Sequence, residues 1–126
     1  VNKLSNWFLR LATLYFVIGV ALGLFMAASK DHGMFPVHAH LNLLGWASLC
    51  LFGLFYRAVP AAEGSKLAKV HFWIYVPAHA VQMVLLAMLY RGRTDIEPAL
   101  GAVSMLVGVG IVCFAIVVWQ NTRSQD

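Results

Sequence analysis

Four stretches without a single Asp, Glu, Lys or Arg take up most of this chain: 11–29, 33–56, 70–90 and 98–122. They hold 19, 24, 21 and 25 residues, and all fourteen charged side chains fall between or beyond them. At a rise of about 1.5 Å per residue, a helix of any of these lengths crosses a hydrocarbon core roughly 30 Å thick. Helix is the required form, because lipid offers no partner to an unpaired backbone amide or carbonyl. The expectation is an all-α, single-domain bundle of four transmembrane helices, over about 5–29, 35–58, 67–90 and 97–121. Composition agrees: 61% of the 126 residues are hydrophobic and 11% are charged, too little polar surface for a soluble domain of this size.

The distribution of bases suggests an orientation. Lys3 and Arg10, the connection carrying Arg57, Lys66 and Lys69, and Arg123 make six bases at one end, whereas the other two connections hold Lys30, Arg91 and Arg93 beside Asp31, Asp95 and Glu97. By the positive-inside rule both termini are expected in the cytoplasm, in a membrane such as the bacterial inner membrane. Bases scattered over helix ends do not form the single basic face of a nucleic-acid binder, so no nucleic-acid partner is expected. Ala27-Ala28-Ser29 superficially resembles a cleavage site, but the apolar run before it is long for a signal peptide, and the first stretch is read as a retained helix. Cys50 and Cys113, both within apolar stretches, are read as packing residues rather than disulfide halves.

Connections this short leave no room for a catalytic domain, so chemistry must lie between helices or between chains. Gly19 and Gly23, and Gly101, Gly108 and Gly110, are read as helix-packing positions. Trp7, Tyr56, Tyr90 and Trp119 fall near helix ends and fit an interfacial aromatic belt. Pro77 removes a backbone hydrogen bond in the third helix and is expected to kink it.

Five histidines in so apolar a chain are the chemical signal, since strongly polar side chains are costly in a bilayer and tend to mark functional interiors. His32 and His71, near connections, are expected to be solvated. His38, His40 and His79 fall within the spans. Two residues of helix rotate His38 and His40 about 200° apart, so they cannot chelate one metal as the i, i+4 histidines of a zinc motif do. Opposed imidazoles suit a helix standing between two cofactors, with each ring an axial ligand to one haem iron. Asn42, one turn from His38, is placed to hydrogen-bond a ring nitrogen or a haem propionate, and Gly45 to admit a porphyrin edge. His79, with His71 two turns earlier on a similar face, is the only further metal candidate, for copper or zinc.

The run His38-Ala39-His40-Leu41-Asn42 through Tyr56-Arg57-Ala58-Val59-Pro60, with Pro36-Val37-His38 at its start, resembles the haem-ligating helices of subunit I in the haem–copper oxidase and nitric oxide reductase superfamily. The likeness is specific over this stretch and topological elsewhere. In that family twelve helices form three arcs of four, with ligands on the second helix of an arc. The resemblance implies that this chain is one arc, that three copies rebuild the ring as a homotrimer, and that b-type haems lie between protomers, each held by His38 of one and His40 of the next. It implies bis-His electron transfer, or binding and reduction of oxygen or nitric oxide if one axial position is open. The copper-site histidine pair and the His-Pro-Glu-Val-Tyr segment of the family are missing, as are acids or lysines in the spans that would resemble its proton channels, so coupled oxygen reduction is not implied. Two other readings stand beside it: a haem held within one chain between His38 or His40 and His79, and a non-enzymatic copper- or zinc-binding or assembly protein.

Overall fold

The computed structural model describes residues 3–123. Four long helices account for nearly all of them: α1 (Lys3–Ser29), α2 (Phe35–Ala58), α3 (Lys66–Tyr90) and α4 (Glu97–Thr122). All four are long and apolar enough to cross a membrane. Their outward faces carry exposed apolar side chains such as Val17, Leu24, Leu51, Val84 and Met105, which in water would be an aggregation liability and in lipid are ordinary. Length, apolarity and these exposed faces together fit a membrane protein.

Helix ends follow from local chemistry. Ser65 caps α3, its hydroxyl accepting from the Ala68 amide at 3.1 Å, which satisfies one of the donors a helix start leaves open. At the other end of α3, Gly92 takes φ +97°, and amides from Arg91 to Arg93 return to the carbonyls of Ala87, Met88 and Leu89, the usual left-handed glycine stop. The corresponding position after α1 is Lys30, at φ +59°, where a side chain costs what glycine would not. Pro36 and Pro98 sit in first turns, where a missing amide hydrogen loses nothing.

α1 packs antiparallel on α2, and α3 on α4. A core of Phe8, Leu49, Phe52, Tyr56, Phe72 and Tyr75 joins the two pairs in the half of the bundle containing the N-terminus of α1. That end is also tied by polar groups. The carboxylate of Glu63, on the one-turn helix Pro60–Glu63, accepts the Ser5 amide at 2.6 Å and is only 6% exposed. A negative charge against the N-terminus of α1 meets the positive end of the helix dipole. Arg57 donates to Asn6 across the same junction.

Two expectations about packing are corrected. Tyr56 is not part of an interfacial belt: it is fully buried, whereas Trp7, Tyr90 and Trp119 are exposed. Among the α4 glycines, only Gly110 is a close-approach position, a Cβ there coming within 3.0 Å of Tyr75 Cβ, while Gly101 and Gly108 face open space. α3 runs uninterrupted through Pro77, which lies on its exposed surface. Cys50 and Cys113 are half-buried and unbridged.

Candidate histidine sites

The second span is not a regular α-helix. Phe35–His40 is α-helical, Leu41–Ala47 is a π-helical segment, and regular helix resumes over Ser48–Ala58. Wide turns of this kind loosen the i→i−4 ladder and are frequent at functional sites. Here side chains supplement the ladder: the Ser48 hydroxyl donates to the Leu43 carbonyl at 2.7 Å, and the Tyr75 hydroxyl, from α3, donates to the Leu44 carbonyl at 2.6 Å. The π segment begins directly after His40, so it sets how the two histidines are oriented relative to the rest of the span.

His38 and His40 turn to different neighbours. His38 leans on α1, where its Nδ1 donates to the Gly19 carbonyl at 2.9 Å. A carbonyl can only accept, so this contact puts the ring proton on Nδ1 and leaves the Nε2 lone pair available. His40 makes the equivalent bond within its own helix, from Nδ1 to the Pro36 carbonyl at 2.7 Å, with the same consequence for its Nε2. The Phe35–His40 stretch that carries both histidines packs against α3 as well as α1. Both rings are half-buried.

The glycines of α1 seat this arrangement. A Cβ on Gly23 would come within 2.9 Å of His38 Cε1, and one on Gly19 within 2.7 Å of Asn42 Oδ1. The small-residue pair on α1 thus admits one histidine and one amide rather than generic helix surface. Asn42 donates from Nδ2 to the His38 carbonyl at 3.0 Å and lies 3.4 Å and 3.5 Å from the two ring nitrogens, at the outer limit of hydrogen bonding. It braces the turn that carries His38.

Gly45 has a different role from the one its spacing suggested. The space beside it is taken by Tyr15, whose Cβ lies 2.9 Å from a hypothetical Gly45 Cβ, and by His79 Cε1 at 3.3 Å. What the glycine admits in this chain is a three-helix contact, not a planar ligand. His79 is 1% exposed, stacked on Tyr75 (5.8 Å, 7° between planes) and edge-on to Tyr15 (4.9 Å).

His71 overturns the expectation of solvation most completely. It is fully buried, accepts or donates at Nδ1 with the Tyr56 hydroxyl at 2.9 Å, and has Phe8, Phe52 and Phe114 within 4.5–5.2 Å, ring centre to ring centre. Its Nε2, like that of His79, has no hydrogen-bond partner. Together with Gln82, which donates to Ser104 at 3.0 Å, these residues form a buried polar stripe on α3 at positions 71, 75, 79 and 82. The i, i+4, i+8, i+11 spacing was visible in the sequence; that the stripe faces inward was not. His32 is exposed, as expected. Among the described residues, no group of three or more His, Cys, Asp or Glu side chains could hold a metal ion.

No protein-family model, curated protein sequence or solved structure matches this chain.

Proposed function

We propose that this chain is a haem b-binding membrane protein related to subunit I of the haem–copper oxidase superfamily, that His38 and His40 are axial ligands, and that each haem lies between protomers of a homotrimer. The observation that carries the proposal is the pair of Nδ1–carbonyl hydrogen bonds, His38 to Gly19 and His40 to Pro36. Ligating histidines usually donate their other ring proton to a carbonyl or carboxylate, which fixes the tautomer and aims the free lone pair. Two half-buried imidazoles so prepared, two residues apart on one helix, in a chain whose described residues include no group of three or more metal-ligating side chains, fit a ligand that each ring shares with a neighbouring chain.

When bound, haem supplies one-electron exchange at its iron. The chain's own contribution is then to hold the two rings in fixed tautomers, to keep the surroundings apolar, and to brace the His38 turn through Asn42. Two histidine ligands per iron fill both axial positions, which favours electron transfer over oxygen or nitric oxide chemistry. A copper role for His79 is the weaker reading, because among the described residues no group of three or more His, Cys, Asp or Glu side chains surrounds it.

Visible spectra and a pyridine haemochrome assay of protein purified from haem-replete cells test the reading. A Soret band with b-type haem in the wild type, lost in both His38→Ala and His40→Ala and kept in His79→Phe, is the expected result. No Soret band in the wild type would instead point to an assembly or metal-carrier role.

A further inference from the structure

The same spacing of a lysine and a tryptophan appears on two helices that enter the membrane from one side. Lys3 and Trp7 occupy the first turns of α1, and Lys69 and Trp73 those of α3. In each pair the tryptophan is four residues further along, about 6 Å deeper at 1.5 Å per residue. The two pairs face a common groove of about 440 Å³, which Leu4 and Phe72 also line. Both tryptophans are well exposed, Trp7 at 49% and Trp73 at 70%. The one acid on the wall, Glu63, is buried and its carboxylate is engaged with the Ser5 amide at the start of α1.

We propose that this groove binds an anionic phospholipid of the leaflet at that end of the bundle. Cations at the rim and indole rings one turn deeper match the two levels of such a molecule: a phosphate between Lys3 and Lys69, and glycerol backbone and upper acyl chain against Trp7, Trp73 and Phe72. Tryptophan prefers this depth because its ring is apolar and its N–H is polar. Lysine near an anionic surface contributes roughly 1 kcal/mol, about fivefold in relative affinity. The site is at the opposite end of the bundle from His38 and His40 and does not depend on haem binding.

Brominated acyl chains, which quench tryptophan on contact, provide the test. The full chain carrying Trp46→Phe and Trp119→Phe, so that only Trp7 and Trp73 emit, is reconstituted into phosphatidylcholine vesicles containing a fixed fraction of either brominated phosphatidylglycerol or brominated phosphatidylcholine. Quenching by the anionic lipid should exceed that by the zwitterionic one and decline with added salt. Lys3→Gln and Lys69→Gln should each reduce the lipid preference about fivefold and together abolish it, with helix content by circular dichroism unchanged. Lys66→Gln, a base at the same end that does not line the groove, should retain it. Equal quenching by the two lipids, or an equal loss in Lys66→Gln, would overturn the proposal, the latter by reducing the effect to general surface attraction.

Discussion

His38 and His71 are the same residue in the same membrane protein, yet their surroundings have little in common. His38, near the start of α2, is half-buried against Gly23, its Nδ1 bound to the Gly19 carbonyl and its Nε2 3.5 Å from the Asn42 amide nitrogen. His71, near the start of α3 at the other end of the bundle, is sealed among Phe8, Phe52 and Phe114 and held by Tyr56. The Nε2 of His71 is sealed inside the bundle without a hydrogen-bond partner, whereas the His38 ring is half-buried. The lesson is that two histidines near the starts of spans can differ completely in burial, which packing and not position decides.

That contrast can be broken by stability measurements on the apoprotein, unfolded in detergent micelles. His71→Ala empties a fully enclosed site and strands the Tyr56 hydroxyl, so it should destabilise by about 3–5 kcal/mol. His38→Ala and His40→Ala, which remove half-buried rings, should each cost no more than about 1–2 kcal/mol. Comparable losses at all three would show that the outer pair is also core.

Glycine substitutions sharpen the same comparison. Gly45→Ala drives a methyl group to 2.9 Å from Tyr15 Cβ, and overpacking of this kind should cost about 1–3 kcal/mol. Gly101→Ala meets nothing within 4 Å and should be neutral or slightly stabilising through helix propensity, by up to about 1 kcal/mol. Equal effects would mean that the Gly45 contact is not as close as described.

Smaller effects belong to the two ends. Glu63→Gln keeps an acceptor for the Ser5 amide but removes the charge facing the α1 dipole, and should lower stability by about 1 kcal/mol, less at high salt. Lys30→Gly relieves a left-handed backbone at the end of α1 and should raise stability by about 1 kcal/mol. An unchanged melting temperature in either variant would remove that contact from the account.

The spans were legible in the sequence because the absence of charge over 19 or more residues has one physical solution in lipid. The rotation of about 200° between His38 and His40 was read for a related reason, since two residues of helix fix it whatever surrounds them. What could not be read was which neighbour each face meets. Tyr56 and His71 looked like interfacial residues because both lie near span ends, and only the packing of α1 and α3 encloses them. The π segment from Leu41 to Ala47 has no strong local signature; its carbonyls are supported by Ser48 within the helix and by Tyr75 from 31 residues away. Gly19 and Gly23 were recognised as small, but that their neighbours are Asn42 and His38 depended on the antiparallel register of α1 and α2. Gly45 was misread for the same reason: absence of a side chain marks a close approach without saying what approaches.

Haem shared between chains makes a demand that no single-chain site makes. His38→Ala protomers keep His40, and His40→Ala protomers keep His38, so closed rings assembled from both contain intact interfaces. For the proposed trimer, co-expressing the two variants and measuring haem per purified chain tests this most directly. Random mixing should restore about a quarter of the wild-type haem content, while either variant alone binds none. No recovery in mixed trimers, or full haem content in either variant alone, would contradict a site built from His38 of one protomer and His40 of the next.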